Sequence, residues 1–289
     1  MFKYILVPAT GASTDAPVFA TALGVARRFS AHLMFLHVRV DVRDVAAAMV
    51  SGDIGGAAGI GEIMEAMEQD ADLRQRRAEQ SFGDFCAREA LTIAASPATS
   101  GPSAEWRSET GREPEWLAVH GRVADLLVVG RAREGEAVAM DILEAALMES
   151  GRPVLIAPPE APQKTSDTVA IAWKDTPEAA RAVAAALPFI VAAKRVVILS
   201  VEEGDDRTDQ PSCERLLHAL RWHHQGATVQ RLQGNARQPA EVVLDAATTA
   251  GADLLVMGGY GHSRLREVVF GGFTRHMLTN CHLPLLMAH

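Results

Sequence analysis

Residues 252–258 read Ala-Asp-Leu-Leu-Val-Met-Gly, and a spaced set of glycines follows them. This stretch is the most informative part of the sequence for the fold. A continuous apolar run of this length indicates a strand that is buried on both faces of a parallel sheet. Gly258, Gly261 and Gly271 then occur in the spacing G-2x-G-9x-G. A strand that leads through a glycine-rich loop into a helix presents backbone N–H groups to an anion, usually a phosphate. We therefore predict an anion-binding loop here.

The same strand occurs earlier, so the chain contains an internal repeat. Residues 124–130 read Ala-Asp-Leu-Leu-Val-Val-Gly. Each half also opens with an apolar strand, turns into an alanine-rich helix and closes with a short strand. The opening strands are residues 4–8 and 168–173, the first helices 16–30 and 178–193, and the closing strands 152–158 and 283–288. Apolar strands that alternate with helices predict an α/β fold, with a parallel sheet covered on both faces.

A proline-rich segment separates the two halves. Residues 158–165 read Pro-Pro-Glu-Ala-Pro-Gln-Lys-Thr, which continues neither a helix nor a strand. We predict a first domain over residues 1–158, a linker over 159–166 and a second domain over 167–289. The opening strands start 164 residues apart but the repeated strands only 128 apart, so the first half contains an insertion at about residues 40–90. Its glycine cluster predicts a loop and its charged part, residues 62–90, a helix.

The glycine loop is not repeated in the first half. Residues 130–136 read Gly-Arg-Ala-Arg-Glu-Gly-Glu, with the bulky Arg133 in the segment where glycine would let the backbone approach a ligand. The first half is therefore predicted to have a degenerate loop that is not an ordinary nucleotide site.

Composition and charge exclude several classes of protein. A net charge of −8 and a pI near 5.7 argue against a nucleic-acid partner. Cys86, Cys213 and Cys281 are widely spaced, which predicts free thiols. The N-terminus enters a strand without a signal peptide's apolar core, and no stretch approaches the ~20 apolar residues of a membrane span. We expect a cytoplasmic protein without a membrane partner.

No catalytic or metal-binding set stands out. The sequence has neither a Gly-x-Ser-x-Gly elbow nor a His-Glu-x-x-His pattern. His218, His223 and His224 are interpreted as a solvent-facing stripe on a helix over residues 211–225. We therefore predict no catalytic residues, no metal ligands and no enzymatic activity.

The second-half loop offers further groups to a phosphate. Ser263 supplies a hydroxyl, and Arg264 and Arg266 supply guanidinium groups. Residues 271–274 open the last helix, where unpaired N–H groups and the helix dipole favour negative charge. The alternative interpretation is that these glycines only form a tight crossover from strand to helix.

On these residues the chain resembles the universal stress protein (UspA-like) family, as a tandem two-domain member. The resemblance rests on the G-2x-G-9x-G motif, on residues 259–267 and on the Pro-Val-Leu and Pro-Leu-Leu closing strands. It implies two tandem Rossmann-like domains of the adenine-nucleotide-binding type. Each is expected to be a five-stranded parallel sheet of order 3-2-1-4-5. It further implies pairing through the last strands, hence an internal pseudo-dimer, with a homodimer as a further arrangement.

The resemblance also implies a ligand, ATP or AMP, with Mg²⁺ left open. Some family members bind nucleotide through the glycine motif and others do not. The cofactor-binding residues that it implies are Gly258, Gly259, Gly261, His262, Ser263, Arg264, Gly271, Gly272, Thr274, Ala172, Trp173 and Lys174.

Three departures from the family pattern weaken that implication. The family's nucleotide binders have an aspartate after the first strand, where this chain has Thr10 and Lys174. They have serine or threonine where this chain has Gly272, and Thr274 lies about 200° further around the helix. Each lost contact typically costs about 1–3 kcal/mol. Besides a non-enzymatic stress-response protein that binds adenine nucleotide in its second half, two alternatives stay open. One is a nucleotide-free interaction scaffold, and the other is a weak ATPase with Asp175 and Glu267 as candidate Mg²⁺ ligands.

Overall fold

The computed structural model describes residues 1–43, 45, 60–95, 101–131, 137–202, 209–234, 237–259 and 272–289. One eleven-stranded sheet runs through both halves. The first half contains β1 (Tyr4–Pro8), β2 (His32–Val40), β3 (Thr92–Ile93), β4 (Ser103–Gly111), β5 (Leu126–Val129) and β6 (Val154–Ile156). The second contains β7 (Thr168–Ala172), β8 (Arg195–Glu202), β9 (Thr228–Gln233), β10 (Leu254–Gly258) and β11 (Leu285–Ala288).

The described helices lie on both faces of this sheet. They are α1 (Asp15–Phe29), α2 (Ile60–Glu89), α3 (Glu113–Gly121) and α4 (Ala137–Met148) in the first half, and α5 (Pro177–Ala192), α6 (Asp209–Leu220), α7 (Pro239–Thr249) and α8 (Gly272–Asn280) in the second. None of them is both long enough and apolar enough to cross a bilayer.

The strand order confirms the predicted fold class. The halves run β4-β2-β1-β5-β6 and β9-β8-β7-β10-β11, each in the order 3-2-1-4-5, with parallel pairing inside each half. The first half has a sixth strand, because the short β3 pairs in parallel with the outer side of β4. This strand follows the insertion helix α2 after two residues, so the insertion adds it to the edge.

The aspartate of the repeated Ala-Asp-Leu-Leu-Val strands has the same structural role in both halves. Asp125 accepts hydrogen bonds from the backbone N–H groups of Lys3 and Tyr4, at 2.7 and 3.1 Å. Asp253 does the same for Asp167 and Thr168, at 3.1 and 2.9 Å. In each half the carboxylate ties the start of the first strand to the start of the fourth, which explains why the motif recurs in halves whose loops differ.

The last strands of the two halves pair with each other. β6 and β11 are antiparallel, with Leu155 opposite Leu286 at the centre of the register. This is the pairing expected for an internal pseudo-dimer. Because the pairing is antiparallel, the carboxyl ends of the parallel strands point in opposite directions in the two halves.

Two apolar cores sandwich the sheet. α1, α2, α5 and α6 pack on one face, and α3, α4, α7 and α8 pack on the other. The first core continues across the halves, because the ring of Phe189 on α5 lies 5.1 Å from that of Phe2 and 5.3 Å from that of Phe29. Arg28 at the end of α1 donates to the carbonyl of Ala192 at the end of α5. The two halves therefore share both sheet and core.

The helix expected over residues 62–90 of the insertion is present as α2. Its Phe82 and Phe85 rings lie 5.1 and 6.0 Å from that of Phe35 on β2, so the helix packs into the first core. The glycine-rich residues 52–59, predicted as a loop, lie outside the described residues.

Candidate functional site

Several predicted ligand-binding residues lie at the carboxyl edge of the second half. β10 ends at Gly258 beside the end of β7, where Met257 is opposite Ala172. Trp173 and Lys174 follow β7, Gly259 follows β10, and α8 begins at Gly272. The remaining predicted residues, Gly261, His262, Ser263, Arg264 and Gly271, lie outside the described residues. At this edge of an open α/β sheet, ligands bind beyond the strand ends.

Gly258 is required by packing. A Cβ at this position would lie 2.5 Å from the backbone nitrogen of Ala179 and 2.7 Å from the carbonyl carbon of Glu178. Both atoms belong to the first turn of α5, so glycine lets that turn rest directly on β10. Packing against α5 therefore accounts for this glycine, whatever binds beyond it.

Gly259 and Gly272 have looser surroundings. A Cβ at Gly259 would meet only Met287 Cε, at 2.9 Å, and the Ala288 carbonyl oxygen, at 3.8 Å; the former is the tip of a flexible side chain. Among the described residues, no atom lies within 4 Å of a Cβ at Gly272. Glycine therefore occupies the position at which the resemblance implied a serine or threonine.

Thr274 is the nearest described hydroxyl to this helix N-terminus, but it is buried. Only 8% of its surface is exposed, because it lies on the side of α8 that faces the sheet together with Met277 and Leu278. This burial disfavours Thr274 as a phosphate ligand. A helical position two residues beyond Gly272 faces a different direction, which is the physical reason.

The turn after β7 uses its polar groups within the protein. Trp173 Nε1 donates to Ser212 Oγ at 3.1 Å, and its ring packs against the α5–α6 side of the core. The carbonyl of Lys174 accepts from the N–H of Thr176 at 2.8 Å, and Thr176 Oγ1 caps α5 by accepting from Ala179 N. Asp175, a candidate Mg²⁺ ligand, pairs with Arg215 at 2.8 Å on the surface. The side chains of Trp173, Asp175 and Thr176 thus already have protein partners.

The equivalent edge of the first half contains a carboxylate that the sequence did not reveal. Asp15, the first residue of α1, is 4% exposed and accepts from the Thr10 N–H at 3.2 Å, from Thr10 Oγ1 at 2.6 Å and from the Gly11 N–H at 2.8 Å. Burial raises the pKa of Asp15, and these hydrogen bonds work against that rise. The available signal was an acidic residue at a helix start five positions after Thr10.

The insertion helix α2 covers this edge. Gly11 has φ +76°, and a Cβ there would lie 2.5 Å from the carbonyl oxygen of Arg74 on α2. The turn that follows the first strand is therefore in backbone contact with the insertion. Arg133, expected to obstruct the first-half loop, lies outside the described residues.

The first-half loop contacts the second half through Arg131. Its Nη1 donates to the carbonyl oxygens of Met277 and Leu278, at 3.1 and 2.8 Å, near the end of α8. A cation at a helix C-terminus is favourable because the unpaired carbonyls are partially negative. The helix that begins at Gly272 is therefore fixed at its far end by a residue of the other half.

The histidine and cysteine predictions differ in outcome. α6 ends at Leu220, so His223 and His224 lie beyond the helix, and His224 Nε2 donates to the carbonyl of Ala193 at 3.2 Å. His218 and His223 are exposed, as predicted, whereas His224 is half-buried and the helix ends before His223. The three cysteines are buried and unpaired, as expected. Within the described part of the chain, no group of three or more His, Cys, Asp or Glu residues could hold a metal ion.

In comparisons with known proteins, a family model matches the sequence of the second half, and solved structures match the fold of the whole chain. Residues 165–289 match the family model of the Universal stress protein family. No curated protein matches the chain. A universal stress protein from Archaeoglobus fulgidus has a TM-score of 0.66 at 18% identity, covering 99% of this chain and 95% of that one. A functionally unknown protein from Pseudomonas aeruginosa has a TM-score of 0.58 at 14% identity, covering 99% and 92%. These likenesses show the fold, two similar α/β halves.

Proposed function

We propose that the whole chain is a tandem universal stress protein, a non-enzymatic regulatory protein whose second half binds an adenine nucleotide. The observation that carries the proposal is the family-model match over residues 165–289, the half that retains the G-2x-G-9x-G spacing. The two similar halves in one sheet support extending it to the whole chain.

The described geometry supports a phosphate near the start of α8. The first turn of a helix has unpaired N–H groups and a partial positive charge. No described atom lies within 4 Å of a Cβ at Gly272, and Gly259 follows the end of β10 at the same carboxyl edge. A phosphate there would be held mainly by backbone groups, together with whatever the predicted Ser263 and Arg264 supply.

The same geometry predicts weak binding. Trp173 Nε1 donates to Ser212, Asp175 pairs with Arg215, and Thr274 is buried. Each missing side-chain contact typically forfeits about 1–3 kcal/mol, which is roughly ten- to a hundredfold in affinity. We propose that the second half senses nucleotide at high cellular concentration, through a shift between two conformational or oligomeric states that differ in affinity.

A second candidate function is an interaction scaffold that binds no nucleotide. Two contacts favour it: Gly258 is explained by the packing of α5, and α2 touches Gly11 at the equivalent edge of the first half. In that case function would depend on protein surfaces such as the exposed face of α2.

Calorimetry with ATP, ADP and AMP, with and without Mg²⁺, distinguishes the two candidates. We expect wild-type protein to bind at least one nucleotide and Gly261→Arg to lose that binding. Gly83→Arg is the matched control, because Gly83 is exposed on α2 and nothing lies within 4 Å of its Cβ position. Absence of heat at millimolar nucleotide would reject nucleotide sensing and favour the scaffold.

A further inference from the structure

A small cavity lies between the carboxyl ends of β1 and β2 and the insertion helix α2. Its volume is about 80 Å³, and its polar lining consists of Thr10, His37, Arg39, Arg74 and Glu113. A single ordered water needs roughly 10–15 Å³ by the same kind of measure. The cavity therefore has room for a group of several heavy atoms, but it is too small for a nucleotide.

His37 offers this cavity an unused hydrogen-bond acceptor. The residue is 4% exposed, and its ring is parallel to that of Trp106, with centroids 6.0 Å apart. Nδ1 lies 2.8 Å from the carbonyl oxygen of Ala9. A carbonyl only accepts, so Nδ1 carries the proton and Nε2 of the neutral ring is an acceptor. Nε2 is buried and has no partner among the described residues.

Glu113, the first residue of α3, lines the same cavity. No described residue donates a hydrogen bond to its carboxyl group. Its pKa is raised to about 7, mainly by burial and also by the charge of Asp15, while Arg74 opposes the rise. A buried polar group without a partner costs roughly 1–3 kcal/mol, so Nε2 of His37 favours a ligand that supplies a donor. The half-buried carboxyl group of Glu113 offers a second acceptor in the same cavity.

The charged side chains around the cavity give it a net negative charge. Arg39 on β2 pairs with Glu68 and Asp72, and Arg74 on α2 pairs with Asp70 at 2.8 Å. Both guanidinium charges are therefore offset by carboxylates of α2. Asp15 on α1 and Glu113 on α3 form no ion pair within the described residues, although hydrogen bonds from the β1 turn satisfy Asp15. The uncompensated charge is negative.

We propose that this cavity binds a small organic cation with N–H donors, a primary ammonium or an amidinium, between the carboxylate of Glu113 and Nε2 of His37. The N–H groups donate to both acceptors, and the positive charge is matched by Glu113 and by the field of Asp15. The rest of the ligand extends out of the open side of the cavity. The site belongs to the first half and does not depend on nucleotide binding in the second.

Methylammonium is a suitable probe, titrated into the full chain with ¹⁵N-labelled histidine at pH 8. We expect the Nε2 resonance of His37, assigned by its absence from His37→Asn, to shift and saturate. Tetramethylammonium has the same charge but no N–H donor and is expected to leave that resonance unmoved. From pH 8 to pH 6 the ionised fraction of Glu113 falls from about 0.9 to about 0.1, so the affinity should fall about tenfold.

Two variants on one turn of α3 complete the test. Glu113→Gln should weaken binding at least tenfold, whereas Glu115→Gln, an exposed partner of Arg112, should bind as wild type does. A shift that never saturates, an equal response to tetramethylammonium, or unchanged affinity in Glu113→Gln would overturn the proposal. If Glu113→Gln does not fold, the pH dependence and the tetramethylammonium comparison on wild-type protein decide.

Discussion

Replacing Gly258 with alanine should destabilise the second half, because the added methyl group has no space. The three nearest atoms to its Cβ are all backbone: Ala179 N at 2.5 Å, Glu178 C at 2.7 Å and Ala179 Cα at 2.9 Å. No side-chain rotation relieves these overlaps, so β10 and the first turn of α5 must separate by roughly 0.5–1 Å. Overpacking of this kind typically costs about 1–3 kcal/mol, and we expect a loss of about 2 kcal/mol in the free energy of unfolding.

Urea denaturation followed by far-ultraviolet circular dichroism measures this loss. Gly83→Ala is the control: Gly83 is exposed on α2 with open space around it, so alanine should stabilise by roughly 0.5–1 kcal/mol through helix propensity. A Gly258→Ala variant that unfolds within about 0.5 kcal/mol of wild type would refute the packing explanation. Approach to a ligand would then be the better reason for this glycine.

Three further predictions concern other parts of the molecule. Gly272→Ser should tighten any nucleotide binding by roughly ten- to a hundredfold, because it supplies a hydroxyl at a position whose Cβ has no described atom within 4 Å; calorimetry measures the change, and weaker binding would contradict the prediction. Arg131→Met should cost about 1–3 kcal/mol, with faster amide exchange at the end of α8, since it removes two hydrogen bonds between the halves. The folded-state pKa of Glu113 is raised from 4.5 to about 7, so its contribution to stability is present below about pH 4.5 and lost as the pH rises through 7. Glu113→Gln should therefore gain stability relative to wild type over that window, by about 3 kcal/mol at most, and parallel stability–pH curves would contradict this.

Local sequence patterns were sufficient to predict the architecture. The Ala-Asp-Leu-Leu-Val strands appear twice, and their apolar runs could only be buried in a sheet covered on both faces. The aspartate within them binds the neighbouring strand's backbone through a contact 122 residues away, between Asp125 and Lys3. The pattern therefore revealed the repeat, while the reason for the aspartate required the structure.

The candidate site was harder to predict, because its side chains are engaged by distant residues. The pairing of Trp173 with Ser212 and that of Asp175 with Arg215 each depend on where α6 packs. At the carboxyl edge of the first half, α2 packs against Gly11, and the helix periodicity of the sequence does not predict this contact. Glycine spacing predicted a loop, but it did not separate a glycine required by packing, such as Gly258, from one whose Cβ meets no described atom within 4 Å, such as Gly272.

The antiparallel pairing of β6 with β11 has a consequence for how this protein changes through evolution. When two identical chains pair through their last strands, a mutation in one site alters both. Here the pairing strands belong to one polypeptide, so each half mutates alone. One half can therefore carry the helix α2 over its strand ends while the other carries the spaced glycines. The two unlike halves are thus always synthesised in equal amounts, and they cannot separate to form pairs of identical halves.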